Sequence, residues 1–156
     1  MYDMIDLMFF AYREFAGDAD QRLAAFGLGR AHHRVLHFVA RQPGLTVTEL
    51  LEILRVTKQS LNRVLKALLD KQFVEVCAGI EDRRQRRLYA TACGHALALD
   101  VARLQSERLS RVFGMLPEGA RQQAATFLLA MIDSPLRDKI AAMTGAIQDR
   151  GWNGER

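Results

Sequence analysis

A mainly α, α+β fold is what this sequence predicts, and two changes of hydrophobic period carry the prediction. Between Leu45 and Ala90 two short helical stripes follow closely: Val47, Leu50, Leu51 and Leu54, then Leu61, Val64, Leu65, Leu68 and Leu69. Each recurs at i, i+3, i+4 and i+7, the mark of one helix face. Only Arg55-Val56-Thr57 separates them, room for a tight helix–turn–helix and little else. After Lys71 the period drops to two, in Phe73 to Ala78 and again in Gln85 to Ala90, with Gly79-Ile80-Glu81-Asp82-Arg83-Arg84 as the turn. Together these make a winged helix–turn–helix with a two-stranded wing and terminal dimerisation helices.

Taken in order, residues 2–16 are apolar around much of a helix, with Ile5, Met8, Phe9 and Tyr12 in one stripe and Leu7 and Phe10 beside it. So wide a face needs more than one neighbour. Gly17-Asp18-Ala19-Asp20 is expected to interrupt or bend this helix, and Gln21 to Phe26 to continue it. A second helix, Arg30 to Arg41, turns Val35, Leu36 and Val39 inward and stops at Gln42-Pro43-Gly44. Thr46 or Thr48 caps the next helix, and Thr57 the one after it. From Thr91 a helix of roughly 25 residues carries Leu97, Val101, Leu104, Val112 and Met115. It ends at Pro117-Glu118-Gly119. Ala120, Ala124, Phe127, Leu128 and Met131 stripe another helix, and Leu136, Ile140, Met143 and Ile147 a last one. The domain organisation read from this is a helical dimerisation region (1–26 and 91–150), a DNA-binding lobe (27–90) and a frayed tail (151–156).

Composition narrows the function classes. Apolar residues make up 49% of the 156, enough for a core. No apolar run approaches the roughly 20 residues of a membrane span, and Met1-Tyr2-Asp3-Met4 is acidic where a signal peptide is basic. Cys77 and Cys93 make no disulfide framework. A soluble, cytoplasmic protein is expected. Residues 55–90 hold nine basic side chains against four acidic ones, a surplus of five, while the rest of the chain has one more acid than base. A patch so concentrated attracts a phosphate backbone.

The inward set on the second helix of the pair leaves Lys58, Gln59, Ser60, Asn62 and Arg63 outward near its N-terminal end. These side chains bond base edges and phosphates, and the helix N-terminus adds its partial positive charge. In the turn of the hairpin, Asp82 stands two positions before Arg84, a pairing that holds a guanidinium extended for a narrow minor groove.

The order of these features resembles the MarR family of bacterial transcriptional regulators. The likeness runs through PGLTVTELLEILRVTKQSLNRVLKALLDKQFVEVCAGIEDRRQRRLYATACGHAL, and is carried by Thr57 to Arg63, Leu68 to Val74 and Asp82-Arg83-Arg84. It implies a homodimeric, sequence-specific, ligand-responsive repressor on a palindromic operator. Double-stranded DNA is its partner, met by Thr57, Lys58, Gln59, Ser60, Asn62, Arg63, Lys66, Arg83, Arg84 and Arg86, with Asp82 bracing Arg84. It also implies a small, often aromatic, effector bound between the dimer helices and the DNA-binding lobe, where Phe10, Phe26, His33 and His37 are the candidate lining. No cofactor and no membrane partner are expected.

Three other readings compete. An enzyme finds no Gly-rich phosphate loop, nucleophile elbow or carboxylate pair to work with. A metal sensor has His33 and His37 at i, i+4 with His32 adjacent. It lacks a nominated third ligand beyond guesses such as His95 or Glu107, so histidines lining a pocket edge or the surface are the simpler account. A thiol sensor would use Cys77 or Cys93, the latter near a helix N-terminus. A winged helix that binds protein alone is disfavoured by the basic segment.

The wing supplies a test of sign. Charge alone makes Asp82 repel phosphate, so its removal would tighten binding; a brace predicts the reverse. Asp82→Ala is expected to weaken operator binding, Arg84→Ala to weaken it more, and the double variant to match Arg84→Ala. Folding stability barely moves, because an exposed pair contributes only roughly 0.2–1 kcal/mol. Tighter binding by Asp82→Ala in a gel-shift titration would remove the brace.

Overall fold

The computed structural model of the chain describes residues 2–79 and 85–144. The elements run α1 (Tyr2–Ala24), α2 (Arg30–Arg41), β1 (Leu45–Thr46), α3 (Val47–Leu54), α4 (Lys58–Asp70), β2 (Val74–Ala78), β3 (Arg86–Ala90), α5 (Ala92–Gly114), α6 (Ala120–Ala130) and α7 (Ser134–Thr144). Asp82, Arg83 and Arg84 of the wing, Ile147 of the last helix and the expected frayed tail lie outside the described residues. By compactness the chain forms two units, Met1–Arg108 and Leu109–Arg156.

The first unit is built around one apolar cluster. Leu23 of α1, Leu36 and Val39 of α2, Leu50 of α3, Leu61 and Leu68 of α4, Val74 of β2, Leu88 of β3 and Val101 of α5 are all buried. Each large apolar side chain withdrawn from water contributes about 1.5–3 kcal/mol. The three core-facing stripes of α2, α3 and α4 are therefore where the sequence places them.

Local chemistry fixes the element ends. Thr46, rather than Thr48, caps α3: its Oγ1 accepts the Glu49 N–H (3.2 Å), and the Glu49 carboxylate accepts the Thr46 N–H (2.8 Å), a reciprocal box. Thr57 caps α4 by accepting the Ser60 N–H (3.2 Å). Between them Arg55 takes the left-handed conformation (φ 50°, ψ 47°) that turns the chain, a geometry that costs a non-glycine residue about 1–3 kcal/mol.

Two expectations are corrected. The wing belongs to a three-stranded antiparallel sheet in the order β1-β3-β2, not a two-stranded one. Leu45 pairs with Leu88 and Thr46 with Arg87, and the Gly44 N–H donates to Leu88 O (2.9 Å). Two residues are too few to show an alternating pattern. Helix α1 is also continuous from Tyr2 to Ala24. Gly17 lies inside it unbroken, for Ala16, Ala19 and Leu23 bury that stretch while Asp18 and Asp20 reach arginines of neighbouring helices.

In the described part of the second unit, α6 buries none of its residues, and Phe127, Leu128 and Met131 are exposed. Helix α5 closes at Gly114, just short of the expected Met115, which is 72% exposed. Leu136, Ile140 and Met143 of α7 are half-buried.

The tightest approach in the first unit is at Gly94. A Cβ there would lie 1.8 Å from Phe73 O, inside any permitted contact. The start of α5 is clamped to the same loop, with Thr91 Oγ1 donating to Gln72 O (2.7 Å) and the Thr91 N–H to Phe73 O (3.2 Å). Alanine favours a helix over glycine by about 1 kcal/mol, so Gly17→Ala, with nothing within 4 Å of its new Cβ, is expected to raise stability by about that much. Gly94→Ala is expected to lower it, by on the order of 3 kcal/mol, because the overlap outweighs the helix gain. Urea unfolding of the two variants checks both signs.

Candidate nucleic-acid interface

Helix α4 is held by its apolar side and offers its polar one. Leu61, Leu65 and Leu68 are buried, while Thr57, Lys58, Gln59, Ser60, Asn62, Arg63 and Lys66 are exposed. They are not equally available. Thr57 and Ser60 are joined in the cap, where the Thr57 hydroxyl donates to Ser60 Oγ (3.0 Å) while accepting the Ser60 N–H. Lys66 Nζ pairs with Asp70 one turn on (2.7 Å). Lys58, Gln59, Asn62 and Arg63 meet no side-chain partner among the described residues, so this row is free to bond something else. It surrounds the helix end whose leading amides and dipole favour an anion.

Strand register settles which wing arginine is available. Arg86 pairs with Ala78 and is exposed; Arg87 pairs with Cys77 and points to the opposite face. There Arg87 Nη1 donates to Gly44 O and Nη2 to Gln85 Oε1, both at 3.2 Å. It ties the wing to the turn before α3. The Tyr89 hydroxyl lies 3.2 Å from where a Cβ at Gly44 would stand, and Gly44 has φ 89°, so that turn also requires glycine.

The candidate effector residues do not all converge. His33 and His37 meet edge to face at 6.1 Å. Phe26 packs edge-on against Phe73 (5.6 Å) with the Arg22 guanidinium over its face, and Phe10 stands on the exposed part of α1 beside Arg13. His37 alone of the four lines an open cleft of about 110 Å³ between α2 and α5, with Arg41, His95 and Leu99. His95 and Leu99 fall at i, i+4 on α5, a signal the sequence holds but one that needs the α2 face to interpret it. Among the described residues no group of three or more His, Cys, Asp or Glu side chains is placed to hold a metal ion. Cys77 and Cys93 are free and exposed, and no described helix is long and apolar enough to cross a membrane.

Burial pushes the His37 imidazole down to about 4, helped by His33 and by the Arg41 charge. Burial also lowers His33, against the pull of Asp20, and lowers His32, where Lys71 acts in the same direction.

Comparison with known proteins gives three findings. Residues 26–85 match the model of the MarR family. The chain is 44% identical over 133 residues to the HTH-type transcriptional regulator PetP of Rhodobacter capsulatus, covering 85% of this chain and 80% of that protein. Among solved structures it is similar to S. aureus MepR in complex with DNA (TM-score 0.67, 21% identity, 84% of this chain and 96% of that one). It is likewise similar to CouR of Rhodococcus jostii RHA1 bound to p-coumaroyl-CoA (TM-score 0.70, 19% identity, 83% and 91%).

The histidines make stability depend on pH in one direction. Above about 6.5 the imidazole of His37 is neutral in both the folded and the unfolded chain. Below that the unfolded chain takes up a proton that the fold resists down to about 4. Stability therefore falls as pH falls through this window. His37 is expected to account for about 1 kcal/mol of loss between about pH 7 and about pH 5, its partial exposure allowed for. His37→Gln flattens the dependence of the urea midpoint by that amount.

Proposed function

Because this chain belongs to the MarR family of transcriptional regulators, we propose that it works as a homodimeric, ligand-responsive repressor of a palindromic operator. It is a DNA-binding regulator of transcription. The observation that carries the finer reading is the exposed row Lys58, Gln59, Asn62 and Arg63 at the capped end of α4. In a major groove such a row divides its work. Gln59 and Asn62 have the donor–acceptor pairs that read base edges, and Lys58 and Arg63 neutralise phosphates. Thr57 and Ser60 set the entry of the helix, Lys66 and Arg86 lie beside the backbone, and Arg83 and Arg84, braced by Asp82, take the minor groove. That MepR, a protein of similar fold, has been crystallised with DNA supports this assignment.

The dimer is supported by α1. Every residue from Tyr2 to Glu14 is exposed, including Phe9 at 70% and Leu7 at 61%. Apolar surface so continuous marks an interface, and a second copy of the chain covers it in this reading. A two-fold pair presents two α4 helices to two half-sites, hence a palindrome. A small aromatic effector entering near His37 would act on α2 and α5 together and release the operator; the bound p-coumaroyl-CoA of CouR supports an effector of that kind. The protein works in the cytoplasm, where its DNA lies.

Selection of bound fragments from the source genome tests the reading: the recovered fragments should share two inverted half-sites about 34–36 Å, or a multiple, apart. On such a site, Gln59→Ala and Asn62→Ala are expected to relax preference at particular base pairs and to cost about 1–3 kcal/mol. Lys58→Ala and Arg63→Ala should weaken all sequences alike and flatten the salt dependence. Equal loss by all four variants on operator and random duplex would show that α4 reads no sequence.

A further inference from the structure

The geometry points to Arg55 as a further DNA-contacting residue, its guanidinium meeting the phosphate backbone beside the groove that α4 enters. This rests on the reading of α4 given above and adds a contact that neither the apolar stripes nor the polar row identifies.

Three observations carry it. Arg55 holds a left-handed backbone, at a position closing α3 where glycine is the unstrained residue. The backbone's own task there, the Arg55 N–H donating to Leu51 O (2.9 Å), needs no side chain. A basic side chain at a helix C-terminus ordinarily serves the last carbonyls. Here that service comes from elsewhere, since Arg34 Nη2 donates to Leu54 O (3.1 Å). The Arg55 side chain is exposed and meets no carbonyl, carboxylate or ring among the described residues. A strained residue whose side chain does nothing for the fold is one retained for something outside it.

Position says what that is. Arg55 is three residues before Lys58, at most about 11 Å between α-carbons, at the end of α4 that leads into the groove. Lys66 is paired with Asp70 and Arg87 is tied to Gly44 and Gln85. Arg55 therefore joins Lys58 and Arg63 as a cation of this region with its charge unspent. Gln72 is the natural control. It too has a positive φ (60°), but it stands at the other end of α4 and carries no charge.

The test uses the full chain and two duplexes, one recovered from the genome and one of random sequence, over about 0.05–0.3 M salt. Arg55→Gly removes strain and charge together; Arg55→Gln removes the charge alone and keeps the backbone demand. Each lost phosphate contact lowers the salt slope by about 0.9 per protomer, or about eightfold in affinity at about 0.1 M salt. Both variants are expected to show this on both duplexes. The melting temperature of Arg55→Gly should stay level or rise by roughly 2–4 °C, and Gln72→Gly should bind as the parent does. If Arg55→Gln keeps parental affinity and slope while Lys58→Ala loses them, the Arg55 contact is overturned and the role of α4 stands. If neither variant loses affinity, both fall. A lowered melting temperature that accompanies the affinity loss in both Arg55 variants would make Arg55 a part of the fold and overturn the inference as well.

Discussion

The contact between the start of α5 and the loop after α4 is the constraint on which the rest of the lobe depends. Gly94 lets the helix lie against Phe73 O, and Thr91 uses both its hydroxyl and its amide to hold Gln72 and Phe73 there. The same three residues thus end the wing, begin the long helix and position the exit of α4. Displacement of α5 therefore cannot leave α4 where it was. An effector between α2 and α5 would need no route of its own to reach the DNA-binding surface. The fold has already joined the two places by a backbone contact too close to stretch or to compress.

The helices of the lobe were legible because periodicity and capping agree. Leu61, Leu65 and Leu68 mark the buried side of α4, Thr57 marks its first turn, and the exposed row follows by subtraction. What was not legible had one of two causes. Strand β1 is two residues long, and its identity depends on Leu88 and Arg87, some forty positions away. Gly17 and Asp18 look locally like a break, yet the chain passes through them as helix because long-range partners fix it, Asp18 with Arg108 and Asp20 with Arg30. Local signals lose wherever a distant residue sets the conformation.

The site shows the same division. Composition identified the basic segment, but not how its charges are allotted. Arg87 and Arg86 are neighbours in sequence, and only strand pairing separates the one that holds the wing from the one left exposed. The histidine pair of α2 was visible from its spacing. Its companion on the other wall of the cleft, His95, was not, since nothing in one helix says which face of another it meets.

The half-exposed ion pairs of α1 have a consequence for how this molecule responds to its medium. Asp18 with Arg108, Asp20 with Arg30, and Arg22 with Asp100 fasten the C-terminal half of α1 to α2 and α5, none of them sealed from solvent. Dissolved electrolyte weakens such pairs over the same range in which it releases a protein from a polyanion. A rise in cytosolic potassium, as in osmotic upshift, would loosen the grip on the operator and the struts of the scaffold at one stroke. Osmolarity is then an input to this molecule in its own right, acting with no dedicated sensor.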